Sequence, residues 1–289
     1  MMNKAAMNPT LVAARAGLSR GRIEFRQTLT TPSDLSTILI LTGGFIAAMI
    51  WTRHTQVPGT HFSLGTAMLV SVLGLDVGMN GVITMADLLV TEREDGTLLR
   101  AKAIPNGMLG YLLGKVVNIS GQIAFAVVIT LLTGAFLFSG LAIGRPGSWL
   151  TLTWVLVLGL FATLPLGAML GSLFPSQRSA GGPMLLLLGG LSAISGIFYP
   201  ITHLPAFLQW TGQVFPMYWL GLGTRSALLP NSMAAVEIGH SWRHLATFGV
   251  LSAWAVAGLV LAPVVLRRMA RRESGSSVAA RREKVMRGT

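Results

Sequence analysis

The sequence contains no cysteine, so disulfides and thiol chemistry are excluded. Charge is almost as scarce. Charged residues make up 11% of the 289 positions, against about 25% in an ordinary soluble domain. The phosphate-cradling loop G-x-x-x-x-G-K-[ST] is missing too. The single Gly-Lys pair is Gly114-Lys115, with Leu109 where the loop needs glycine and Val116 where it needs a hydroxyl. ATP hydrolysis by this chain is therefore not expected. No H-E-x-x-H motif occurs. His240 and His244 stand four apart but have no carboxylate placed as a third ligand, so they read as a solvated pair and not a metal centre. No serine has a partner histidine at a useful spacing. The sequence calls for no cofactor and no catalytic residue.

What is present is apolar. Hydrophobic residues make up 52% of the chain and cluster into stretches near the ~20 residues that cross ~30 Å of hydrocarbon. The pattern predicts an all-α polytopic membrane protein with six spans, over about 35–52, 62–90, 110–138, 149–174, 182–199 and 245–266. Three domains follow: a basic N-terminal segment 1–34, a six-span body 35–266 and a basic tail 267–289. The first apolar run begins near Leu35, too far in for a signal peptide, so that span is expected to be retained. In the N-terminal segment Leu11, Val12, Leu18, Ile23 and Phe25 suit an amphipathic helix on the membrane surface. Pro165 predicts a kink in the fourth span.

The net charge of +12 does not point to nucleic acid. It is concentrated at the two ends, and no aromatics interleave with the C-terminal arginines. Such a flank suits anionic lipid on the cytoplasmic side. With both termini inside, only Arg53, Arg145, Arg225 and Arg243 of the 22 lysines and arginines fall outside. Residues 200–243 are then external. They are rich in aromatics and punctuated by Pro200, Pro205 and Pro216, which suggests short helices dipping into the interface. Glycine pairs at helical spacing, Gly74/Gly78, Gly167/Gly171 and Gly182/Gly189/Gly196, are expected to pack helices closely.

Two features carry candidate chemistry. Asp76 lies midway along the second span. A carboxylate at the bilayer centre costs about 2.5–3.5 kcal/mol, so it should face protein or water. Three roles are open to it: binding a cationic substrate, carrying a proton, or bonding a neighbouring helix. Asp87, nearer the cytoplasmic end, is less costly to place. The second feature is Thr91-Glu92-Arg93-Glu94-Asp95-Gly96-Thr97-Leu98-Leu99-Arg100-Ala101-Lys102-Ala103-Ile104-Pro105. Gly96 can close one helix in the left-handed conformation, Thr97 can cap the next, and Pro105 ends it. Two readings are open on this chemistry: a solvated charged loop between two spans, or a short docking helix with Glu92 and Glu94 as exposed acids at its rim.

That segment, followed by Tyr111-Leu112-Leu113-Gly114-Lys115, resembles the type-2 ATP-binding-cassette exporter permeases. So does Ser195-Gly196-Ile197-Phe198-Tyr199-Pro200 with Leu204-Pro205 and Phe215-Pro216-Met217-Tyr218-Trp219. The stretch 218–230 and the arginine-rich tail look closest to the actinobacterial drug-resistance type. The resemblance covers about 30–266. It implies an exporter of drugs, antibiotics or other amphipathic compounds in the bacterial inner membrane. It implies two nucleotide-binding ATPase subunits, a second permease, identical or related, and an N-terminal surface helix. It further implies a coupling helix using Glu92, Arg93, Glu94, Gly96, Thr97, Arg100 and Pro105. A re-entrant region would involve Gly196, Pro200, Pro205, Pro216 and Tyr218. Asp76 is not part of the family's general pattern. The alternative reading is a proton-coupled secondary transporter built around Asp76 and Asp87, although no internal repeat of the usual kind is visible.

Overall fold

The computed structural model describes residues 8–104 and 106–272. Its regular elements are all helical, apart from one isolated bridge between Gln56 and Ser63. In chain order they are α1 (Pro9–Thr30), α2 (Pro32–Trp51), α3 (Leu64–Leu75), α4 (Gly81–Glu94), α5 (Thr97–Lys102), α6 (Gly107–Leu137), α7 (Pro146–Leu173), α8 (Gln177–Ala193), α9 (Ala206–Val214), α10 (Pro216–Leu228) and α11 (His244–Arg272).

Five stretches are long and apolar enough to cross a membrane: Pro32–Trp51, Leu64–Glu94, Gly107–Leu137, Pro146–Leu173 and His244–Met269. Four answer to expected spans within a few residues at each end. The second expected span runs on to Glu94. It is also not one regular α-helix, because a π-helical turn at Asp76–Asn80 separates α3 from α4. The stretch expected over 182–199 is shifted. Its helix α8 starts at Gln177, where Ser176 and Ser179 form a reciprocal capping box, and ends at Ala193. At 17 residues and ~1.5 Å per residue it reaches ~25 Å, short of the hydrocarbon thickness.

Local signals explain several boundaries. Asn8 caps α1 by accepting the Thr10 N–H. Thr31 alone separates α1 from α2, and Pro32 occupies the first turn of α2, where a missing N–H is harmless. Ser63 caps α3 through the Thr66 N–H, while its own hydroxyl donates to the Arg53 carbonyl. Pro165 stands inside α7, as Pro183 does in α8 and Pro263 in α11.

The core forms where α3, α4, α7, α10 and α11 meet. α7 packs on α4 and α11, and α10 sits against α3, α7 and α11. Small residues set the distances. A β-carbon on Gly74 would lie 2.6 Å from the Leu220 backbone, and one on Gly167 2.5 Å from the Val82 carbonyl oxygen. A β-carbon on Gly171 would lie 2.8 Å from the Ala86 backbone. Gly182 and Gly189 differ from expectation, since among the described residues nothing beyond their own helix backbone lies within 4 Å of a β-carbon built on either. Gly196 follows α8 in a turn, at φ +69°.

Candidate functional site

The segment singled out in the sequence is a sharp reversal between α4 and α6. Gly96 holds φ +74°, the left-handed region that glycine enters without penalty. The Arg100 N–H donates back to the Gly96 carbonyl. Thr97 is the first residue of α5, and its hydroxyl accepts from the Arg100 guanidinium at 3.1 Å. Leu98 and Ala101 are buried, whereas Arg100, Ala103 and Ile104 are exposed. Asn106 then turns the chain at φ 55°, which asparagine tolerates better than most residues. Pro105 lies outside the described residues.

The acids of this segment differ from expectation. Glu92 is not a rim residue: its side chain is 15% exposed and faces inward. Lys115, on α6, places its Nζ 2.5 Å from Glu92 Oε1 and 2.9 Å from Glu24 Oε2 on α1. Arg20 donates to Glu24 Oε1 at 2.7 Å and comes within 4.0 Å of Glu92. The Tyr111 ring lies 5.8 Å from the Lys115 ammonium. Two cations and two carboxylates from three helices thus meet in one place. Lys115 is only 3% exposed, and a buried ammonium persists only when paired. Burial alone would raise the Glu24 carboxyl, but hydrogen bonds from Lys115 and Arg20 outweigh it and hold that group below the usual carboxylate range. Arg93 donates to the Phe174 carbonyl at 3.2 Å, at the C-terminus of α7, where a cation complements the helix dipole. Glu94 is partly exposed.

The network holds α1 in place, together with a glycine seam. Gly17 and Gly21 face Gly110 and Gly114 of α6 so closely that a β-carbon on Gly21 would lie 2.4 Å from the Gly114 carbonyl oxygen. Of the expected apolar residues of α1, Leu11, Val12, Leu18 and Ile23 are exposed, whereas Phe25 is partly buried with its ring against Gly121 of α6. The signal for the seam was present as two Gly-x-x-x-Gly spacings. The first lies in a polar segment, where a surface helix was the simpler reading.

A second cluster ties α10 to the body. Arg225 donates from Nε to Glu237 at 2.6 Å and from its terminal nitrogens to Glu237, Ser71 and the Gly196 carbonyl at 3.1–3.3 Å. Arg225 and Glu237 are both 5% exposed. Charge counting places Arg225 only on the outer side, since pairing across twelve residues leaves no sequence signature. Among the expected re-entrant residues, Pro200 precedes a short 3-10 turn, Pro205 precedes α9 and Pro216 opens α10. Tyr218 is fully buried beside Trp219. The Trp219 indole donates to the Gln213 carbonyl and the Trp254 indole to Val214, fastening the α9–α10 corner.

Asp76 opens the π-helical turn. Its Oδ1 accepts a hydrogen bond from Asn80, while its Oδ2 is buried without a partner among the described residues. It lines a cavity of about 360 Å³ between α2, α3–α4 and α6. Asp87 is half-buried and does not line it. No cluster of metal-ligating side chains occurs among the described residues.

Residues 34–257 match the sequence profile of a family described as ABC-2 family transporter protein. No curated protein matches the chain. The match spans most of the sequence, and the chain belongs to this family of membrane transporters. With its apolar helices, membership makes the chain a multi-pass membrane protein and a permease subunit, of a kind that works with an ATP-binding partner.

Proposed function

We propose that this ABC-2 permease exports drugs, antibiotics or other amphipathic compounds, driven by two copies of a separate nucleotide-binding subunit that carries out all ATP hydrolysis. One observation carries the coupling role. The turn at Gly96 presents a helix of less than two turns with Leu98 and Ala101 tucked in and Arg100 outward, followed by the exposed Ile104. So short a helix is unstable alone. It packs on α4, α6 and α11, and the last turn of α4 that leads into it is tied through Glu92 to Lys115 of α6 and through Arg93 to the end of α7, so a push on it would reach those helices.

The rest of the reading follows from it. α8 serves as a sixth, short crossing, and α9 and α10 are re-entrant. Both termini lie in the cytoplasm of a bacterium, as the lysine and arginine bias favours. A second permease pairs through α2 and α8, which is supported by the open space beside Gly43, Gly44, Gly181, Gly182, Gly189 and Gly190. The likeness of 218–230 to the actinobacterial drug-resistance type supports the substrate class.

The test is transport into inverted membrane vesicles with the partner ATPase co-expressed. ATP should drive uptake, and a proton gradient alone should not. Gly96→Val, whose β-branched side chain resists positive φ, should leave the permease in the membrane yet abolish ATP-driven uptake. Full uptake by that variant would remove the coupling assignment. Uptake driven by the proton gradient alone would favour the carrier built on Asp76. Impermeant labelling of Ser276→Cys from outside intact cells would overturn the topology, while Ser232→Cys should label.

A further inference from the structure

The cavity beside Asp76 differs from the hollow beside Glu237, whose carboxylate is paired with Arg225, because the carboxylate in its wall has no ion-pair partner among the described residues. Asp76 is the single charged side chain among the described residues that line it. The π-helical turn places Asp76 and Asn80 together on the cavity side of the α3–α4 stretch. Asn80 satisfies one carboxylate oxygen and leaves the other buried without a donor. No lysine, arginine or histidine among the described residues forms an ion pair with Asp76, whereas Glu24, Glu92 and Glu237 all have one. A carboxylate so placed can be completed by a cation.

The walls indicate which kind. With Asp76 in the wall stand the amides of Asn80 and Gln122 and the hydroxyls of Thr37, Thr42, Thr84 and Thr130, and the remaining lining is aliphatic or aromatic, Phe45 included. A hard metal cation demands six or more oxygen ligands at short distance. One carboxylate with a few scattered polar groups in an apolar chamber does not provide them. It does provide what an amphipathic organic cation needs: one fixed negative charge, a few orienting dipoles and a large apolar surface.

We infer that the Asp76 cavity binds amphipathic organic monocations, with Asp76 as counter-ion and Asn80 as the residue that positions its carboxylate. This deepens the exporter reading, on which it rests for the transport step alone.

The test is binding to the full-length chain in lipid nanodiscs, without ATP, after subtraction of empty nanodiscs. The probe is radiolabelled tetraphenylphosphonium. Tetraphenylborate, of nearly the same shape and opposite charge, is measured separately. Wild type should bind the cation saturably and not the anion. Asp76→Asn should weaken cation binding by about tenfold or more, since one close charge pair is removed from a low-dielectric site, and Asp76→Glu should recover most of it. Equal binding of both ions, or cation binding unchanged in Asp76→Asn, would overturn the inference. If Asp76→Asn fails to fold, the charge selectivity of wild type decides. Failure of the two readings is distinguishable. Binding that depends on Asp76 without any ATP-driven uptake removes the exporter and keeps the site. ATP-driven uptake of tetraphenylphosphonium indifferent to Asp76→Asn does the reverse.

Discussion

Gly17 and Gly110 approach so closely that a β-carbon on Gly17 would stand 2.2 Å from the Gly110 carbonyl oxygen. The backbones of α1 and α6 are therefore in direct contact, and α1 is packed against the body as well as exposing its apolar residues. Gly17→Val should displace α1. Overpacking of this kind costs about 1–3 kcal/mol, and backbone on both sides leaves no flexible side chain to yield. A cysteine placed at Ala13 should become markedly more reactive in the Gly17→Val background, while the variant still inserts in the membrane. Unchanged reactivity would mean that the seam is not what holds α1.

Lys115 neutralises two carboxylates at once, so its removal should be worse than removal of either acid. Lys115→Met should lower thermal stability in detergent by the equivalent of about 3–5 kcal/mol, the usual penalty for stranding buried charge. Glu92→Gln should cost less. The double variant should be more stable than the sum of the two losses implies, because they share one contact. Simple additivity in that cycle would show that Lys115 and Glu92 are not coupled.

The pH dependence of the same junction has a definite sign. The folded Glu24 carboxyl is held below its ordinary value of 4.5, so the unfolded chain binds its proton first as pH falls. The contribution of Glu24 is fully present above that value and is lost as pH drops through the depressed one. The stability gap between wild type and Glu24→Gln should be constant from pH 7 to about 5 and shrink below about 4.5. A gap that narrows already between pH 7 and 6 would contradict the pairing.

Arg225 makes four hydrogen bonds with Glu237, Ser71 and the Gly196 carbonyl. A lysine cannot reproduce that fork. Arg225→Lys should behave nearly as badly as Arg225→Ala, with sharply reduced yield of folded protein, and Glu237→Gln should lie between these and wild type. Detergent-solubilised monodispersity measures it. A well-behaved Arg225→Lys protein would show that charge alone suffices.

The membrane nature of the chain, four of its spans and the reversal at Gly96 were legible in the residues because each is local. Apolar length, a proline in a first turn and a glycine that tolerates positive φ act within a few residues of themselves. Glu92 illustrates the limit. Its neighbours Arg93, Glu94 and Asp95 make a charged run that reads as a solvated rim, and only the arrival of Lys115 from α6 turns it inward. Likewise the π-helical turn at Asp76 leaves no mark in hydropathy, since it adds one residue to a turn without altering composition.

By itself, then, the sequence determined that the chain enters a membrane, which stretches are helical and where the connecting reversal falls, because hydrophobic transfer and backbone preference are properties of neighbouring residues. Only the tertiary structure decided that Lys115 joins Glu24 to Glu92, that Arg225 finds Glu237, Ser71 and Gly196, and that Asp76 opens on a cavity. Those outcomes depend on which helix faces which. In lipid that choice is made by close packing of small residues and by the need of each buried charge for a partner distant in the chain.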